Sequence, residues 1–231
     1  MHIGFIMDGN RRWATQSGFL KKIGHGYGGD RIEPILELCL QEGIETVSFW
    51  ALATENLKNR DPEELEHIYH LIETRVPKLV PKLLDKNIRF RVFGDMTLIP
   101  ENIRDILLDT EAKTVGCTAM TFALGIPHGG QYEIVQAVKD VFEKTKTLSE
   151  TERNQFFQNL NEETFRAYLN SSFLPNIDLI VRTGGYVRHS GYLLYLSEYA
   201  EYYFTDVLWP DFGETEFYKA LESYKNATRN F

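Results

Sequence analysis

Short apolar runs alternate along the whole chain with longer stretches in which apolar residues recur every three or four positions. The runs at 2–7, 46–51, 88–93, 118–125, 177–181 and 202–208 predict strands. The longer stretches predict helices over 27–42, 62–86, 100–115, 131–144, 162–169 and 214–224. Ile32, Ile35, Leu36, Cys39 and Leu40 show the helical spacing most plainly. Strands and helices in this alternation predict parallel βαβ units, hence one α/β domain over residues 1–231 with a central, mostly parallel, six-stranded sheet surrounded by helices. Pro77 and Pro81 fall inside the longest helical pattern and predict a kink or a split there. Leu71, Ile72, Val76, Leu79, Val80, Leu83 and Leu84 on that segment exceed what one core-facing stripe needs, although ordinary packing is the simpler reading. The polar stretch 144–153 predicts a surface excursion.

Composition narrows the function classes. A chain with 43% hydrophobic and 25% charged residues is globular rather than disordered. Its net charge of −8 argues against nucleic acid as a partner, because such a binder needs a broad Lys/Arg field to displace counterions. A local basic pocket for small anions stays open. Cys39 and Cys117 form no metal-ligand spacing and read as buried apolar residues. A strand beginning at His2 leaves no room for a signal peptide, and no run reaches the ~20 apolar residues of a membrane span. The expected location is the cytoplasm.

Candidate chemistry collects after the predicted strands, where ligands bind in parallel α/β sheets. Met7-Asp8-Gly9-Asn10-Arg11-Arg12-Trp13-Ala14 joins a carboxylate suited to a hard cation with a glycine, an amide and two guanidinium groups, a set that fits a magnesium-bound diphosphate. A turn explains Asp8, Gly9 and Asn10, but not the adjacent arginines. Gly24-His25-Gly26-Tyr27-Gly28-Gly29 matches the GxGxxG dinucleotide fingerprint in letters, yet no strand precedes it, so an oxidoreductase reading has little support. It reads instead as a flexible loop carrying His25 beside Lys21 and Lys22 at a helix start that favours anions. Ala51-Leu52-Ala53-Thr54-Glu55-Asn56 is a cap or a substrate loop. Arg182-Thr183-Gly184-Gly185, followed by Arg188 and Ser190, is a second candidate diphosphate cradle. Glu201 enters an aromatic strand, where a carboxylate needs a metal or an ion-pair partner.

These blocks, in this order, are similar to those of the cis-prenyltransferases, the undecaprenyl diphosphate synthase family: MDGNRRWA, GHGYG, ATEN, RTGG with R-x-S, and AEYYFTDVLWPDF. The resemblance spans essentially the whole chain. It implies a magnesium-dependent enzyme that condenses isopentenyl diphosphate with an allylic diphosphate such as farnesyl diphosphate, making a (poly)prenyl diphosphate with cis double bonds, including undecaprenyl-type carrier lipids. It also implies a homodimer, and an apolar product tunnel between the sheet and two helices, which gives the Pro-containing segment a use. By matching position, Asp8 and Glu201 are the metal carboxylates, Glu201 with a role toward the neighbouring subunit. Gly9, Asn10, Arg11, Arg12, Trp13, Lys21, His25, Glu55 and Asn56 belong with the allylic diphosphate, and Arg182, Arg188 and Ser190 with isopentenyl diphosphate. The base is Asp8 or an Asn10–His25 relay. No DDxxD motif of the trans-type enzymes is present.

The chain departs from the family pattern at several places. Leu52-Ala53, Leu57 and Asn59 stand where the family has an aromatic-Ser pair, a tryptophan and a nearby arginine. Gln131 replaces the arginine that follows the Gly-Gly pair, Tyr186 replaces an acid after RTGG, and Gly191 replaces an asparagine. These changes surround the substrates, so they bear on primer, product length and regiochemistry. The alternatives are a family member making a short or irregular prenyl diphosphate, and a non-catalytic diphosphate-binding subunit. By the same resemblance Ala51 leaves room at the tunnel mouth, which favours longer products, and membrane contact is expected to be at most peripheral, through a long product.

Overall fold

Runs rich in Ile, Val, Phe and Trp form the strands β1 (His2–Ile6), β2 (Thr46–Trp50), β3 (Ile88–Phe93), β4 (Met120–Gly125), β5 (Leu179–Arg182) and β6 (Glu201–Phe204). The structure, a computed structural model, describes residues 1–227; the last four residues of the predicted domain lie outside the described residues. Among the described residues the strands form one sheet in the order β3-β4-β2-β1-β5-β6, and every pairing is parallel. A parallel sheet must be covered on both faces, and β1 is accordingly buried at all its positions. One face packs Phe5, Phe49, Phe122 and Leu179 against apolar residues of α2 (Ile23–Gln41), α4 (Pro62–Asp85) and α5 (Glu101–Lys113). The other packs Ile6, Ala123 and Ile180 against Leu174, Tyr192 and Leu196. The remaining helices are α1 (Asn10–Gln16), α3 (Thr54–Asn59), α6 (Gly130–Thr145), α7 (Glu150–Gln158), α8 (Glu162–Arg166) and α9 (Glu214–Asn226).

The fold differs from the sequence pattern in several places, and three of the differences have a plain physical cause. α4 runs unbroken through Pro77 and Pro81, and both prolines are on its exposed side, where solvent can serve the carbonyls they free. The stretch 144–153 is only partly an excursion, because Ser149 and Glu152 form a reciprocal capping box that starts α7. β6 ends at Phe204, and 205–208 leaves the sheet to return toward β1. α1, α3 and α7 are too short or too polar to show an apolar stripe.

The topology fixes where a ligand can bind. The chain leaves β1 for β2 on one side and β5 for β6 on the other, so the β1/β5 pair is the switch point of the sheet. Ile6 and Arg182 are register partners at its carboxyl end. Among the described residues no helix is long and apolar enough to cross a membrane.

Candidate active site

At the end of β1 the chain turns at Gly9, whose φ of 112° only glycine adopts readily and whose Cβ would meet Leu208 at 2.9 Å. The turn fixes Asp8: its carbonyl accepts from Thr183 Oγ1 at 2.7 Å and from the Trp209 backbone N–H at 3.0 Å. From β5, Arg182 donates to Asp8 Oδ2 through Nη2 at 2.8 Å and Nε at 3.0 Å. Its Nη1 reaches Ser190 Oγ at 2.8 Å and also the Arg188 carbonyl. Arg182 is 4% exposed, so this one fork organises the carboxylate and the R-x-S loop together. Arg12 donates to the Gly184 carbonyl, which brings a second guanidinium alongside.

The glycine run lies inside α2, not in a loop, and its residues are there for packing. A Cβ on Gly24 would lie 2.0 Å from the Asn10 carbonyl oxygen, and one on Gly28 would lie 2.1 Å from Asn10 Oδ1. The two glycines let α2 close against the start of α1, while the Gly26 carbonyl accepts from Arg75 Nη1 at 2.6 Å. Asn10 Nδ2 donates to the Met7 carbonyl at 3.0 Å, and its Oδ1 is buried with no hydrogen-bond partner, an acceptor left over for a ligand or water. Gly28→Ala is expected to raise helix propensity yet displace Asn10, lowering turnover about tenfold with the helical circular dichroism retained. Unchanged turnover in steady-state assays would show that the close approach is not needed.

His25 sits in the first turn of α2, with Nε2 2.8 Å from Glu64 Oε1 on α4. Burial lowers its pKa below the ordinary 6.5 while the Glu64 hydrogen bond opposes that shift, so the neutral ring donates from Nε2 and keeps Nδ1 as an acceptor. Glu64, only 8% exposed, also faces Arg60 Nε at 3.5 Å and Arg11 Nη1 at 3.8 Å. Arg60 belongs to none of the sequence motifs. Asn59 stands where the family has an arginine, but Arg60 follows it directly and precedes the Asp61 cap of α4, which places its guanidinium in the site.

All of this opens into one cavity of about 1560 Å³. Its polar end is lined by Asp8, Gly9, Asn10, Arg11, Arg12, His25, Glu55, Asn56, Arg60, Arg182, Arg188 and Ser190. Its far end is apolar, running between α2, α4 and the sheet past Ile68, Ile72, Val76, Phe90 and Phe122. Ala53, Leu57, Gln131, Tyr186 and Gly191, five of the departures from the family pattern, line it as well. Three predicted residues lie elsewhere. Trp13 does not line the cavity; its Nε1 donates to Asp211 at 2.7 Å and its ring packs on Tyr27, tying α1 to the turn after β6. Lys21 is exposed before α2 and is not part of the lining. Glu201 pairs with Leu179, three residues before Arg182, hence about 10 Å back along the sheet. It forms no salt bridge among the described residues, and no three-residue cluster of metal-ligating side chains occurs among them.

A parallel sheet with an arginine-lined crevice at its switch point, opening into a deep apolar channel, is an arrangement suited to an anionic head group on an apolar tail. The chain belongs to the undecaprenyl diphosphate synthase family, whose Prenyltransf model matches residues 6–231. It is 35% identical over 232 residues to an isoprenyl transferase of Deinococcus radiodurans, covering 100% of this chain and 84% of that one. It is equally 35% identical to a tritrans,polycis-undecaprenyl-diphosphate synthase (geranylgeranyl-diphosphate specific) of Thermoplasma acidophilum, covering 100% of this chain and 88% of the relative. Among solved structures, a lavandulyl diphosphate synthase from Lavandula x intermedia in complex with dimethylallyl diphosphate superposes with a TM-score of 0.90 at 30% identity, covering 99% of this chain and 96% of that one. The chain is therefore a prenyltransferase.

Proposed function

We propose that the chain elongates an allylic diphosphate with isopentenyl diphosphate in a magnesium-dependent cis-prenyl transfer, releasing a polyprenyl diphosphate. The observation that carries this reading is the single continuous cavity: charged at the switch point, apolar beyond it, and larger than the ~300–1,000 Å³ usual for small-ligand pockets.

The donor set fits magnesium. Both Arg182 contacts use Asp8 Oδ2, which leaves Oδ1 for another ligand, and magnesium characteristically takes one or two carboxylates plus substrate phosphates. Bound there with the diphosphate, magnesium supplies charge neutralisation for the departing group. Arg12, Arg11 and Arg60 surround the same end of the cavity and stabilise the charge that grows as the allylic C–O bond loosens. Arg182, Arg188 and Ser190 orient isopentenyl diphosphate so that its double bond meets the allylic carbon. The C2 proton goes to Asp8 or through Asn10 to His25, whose Nδ1 is the free acceptor. Glu55 and Asn56 line the passage from the diphosphates to the channel.

In a homodimer Glu201 serves the neighbouring subunit's metal rather than its own. Support comes from its place on edge strand β6, its lack of an ion pair among the described residues, and the exposed apolar strip of Val135, Val138 and Phe142 on α6. A second reading, a short or irregular product, is favoured by the close superposition on the lavandulyl diphosphate synthase. Labelled isopentenyl diphosphate incubated with five-, ten- and fifteen-carbon allylic primers, with magnesium or EDTA, decides between them. A magnesium-dependent ladder of long products is expected. One discrete short product establishes the second reading, and no product from any primer removes both.

A further inference from the structure

The polar end of the cavity holds three guanidinium groups around one aromatic ring. Tyr186 follows the turn made by Gly184 and Gly185, at φ of 82° and 74°, which folds it back over the crevice. Its ring centroid lies 4.2 Å from the guanidinium carbon of Arg188, 5.0 Å from that of Arg12 and 5.6 Å from that of Arg182. All are within the range of cation–π attraction. Of the three cations only Arg182 is neutralised by a carboxylate, Asp8 at 2.8 Å; among the described residues no salt bridge joins Arg12 or Arg188 to one. Like charges this close repel, and an acid beside them would hold them together but would also compete with an anionic ligand. A tyrosine ring holds them without adding negative charge.

We propose that Tyr186 is a positioning residue for the diphosphate: its ring gathers Arg12, Arg182 and Arg188 and leaves two of them free of acidic partners, so that this cradle binds diphosphate before any metal does. The inference rests on the diphosphate reading of the cavity and goes beyond it in assigning metal-independent capture to an aromatic residue. The ring, rather than its hydroxyl, carries the effect, and the residue is 39% exposed on a loop, so its replacement leaves the fold intact.

The test is calorimetric titration of inorganic pyrophosphate in EDTA, with thermal melting as a check on folding. The wild-type chain is expected to bind, and Tyr186→Phe to bind within about twofold of it. Tyr186→Leu is expected to bind about tenfold more weakly, a loss of about 1.4 kcal/mol. Tyr186→Glu is expected to bind at least as weakly as Tyr186→Leu, since its carboxylate occupies the guanidinium groups. In turnover assays Tyr186→Leu should raise KM for isopentenyl diphosphate more than it lowers kcat. Wild-type affinity in the Leu or Glu variant overturns the proposal while leaving the diphosphate site standing, as does a Phe variant as weak as Leu. A wild-type chain that binds no pyrophosphate overturns the diphosphate reading and this inference with it.

Discussion

Asp8→Asn is expected to lower prenyl transfer about 1,000-fold, roughly 4 kcal/mol of transition-state stabilisation, in a chain that still folds. The asparagine preserves the shape of the side chain and an oxygen toward Arg182, so the R-x-S loop keeps its anchor. What it loses is the charge that Asp8 brings to the 4%-exposed Arg182 guanidinium and, on the proposed mechanism, to a bound magnesium. The loss should appear mainly in kcat, because it is charge developing on the departing diphosphate that goes uncompensated. Arg182→Lys should behave differently. One ammonium cannot reproduce a fork that serves Asp8 and Ser190 at once, so KM for isopentenyl diphosphate rises more than about tenfold. Equal kinetics for Asp8→Asn and wild type would show that the chemistry is elsewhere.

Stability is expected to fall steeply with acid, through two histidines outside the site. His2 is fully buried in β1, with Nδ1 donating to the Pro175 carbonyl at 2.9 Å and Nε2 accepting from the Ser48 hydroxyl at 2.7 Å, whose oxygen in turn accepts from the Tyr192 hydroxyl at 2.7 Å. His128 accepts the Leu193 N–H at Nε2, 3.1 Å away, and its Nδ1 is buried without a partner. Burial lowers the first from 6.5 to about 4 and the second to about 3. Below pH 6.5 the unfolded chain therefore takes up protons that the native chain refuses, and native stability, whole above that pH, drains away as pH falls toward 4. At about pH 5 each histidine should have cost about 2 kcal/mol. That sum is a large share of the roughly 5–15 kcal/mol typical of a domain. Urea unfolding at about pH 7.5 and about pH 5 measures the difference, and His128→Asn should reduce it by about half. An unfolding midpoint that does not move between the two pH values would contradict the buried neutral histidines.

Much of this architecture is legible in the pattern of residues along the chain. The central strands β1, β2, β4 and β5 are visible because a parallel sheet buries both faces and leaves nearly continuous apolar runs, the edge strands β3 and β6 through alternation and aromatic content, and α4 because it carries a full apolar stripe. The loops after β1 and β5 are legible as a charged crevice because arginine beside glycine recurs at two strand ends, and the structure brings Arg12, Arg182 and Arg188 into one cavity. What pattern cannot show is which of two roles a glycine has. Gly24 and Gly28 resemble phosphate-loop glycines in letters, yet they are the flat side of a helix pressed on Asn10. Nor does it single out Arg60, which stands outside every motif and whose guanidinium only the structure brings beside Glu64 at the polar end of the cavity. Trp13 illustrates the converse, a residue of the most chemical block whose ring holds α1 in place from outside the cavity.

A crystal structure with a non-reactive farnesyl thiodiphosphate shows directly whether the β1/β5 crevice holds the diphosphate while the tail runs between α2 and α4. Phosphate oxygens are expected among Asn10, Arg12 and the His25 end of α2, with the prenyl carbon atoms against Ile68, Ile72 and Val76. A diphosphate bound elsewhere, or a tail lying in solvent with that channel closed, would contradict that placement.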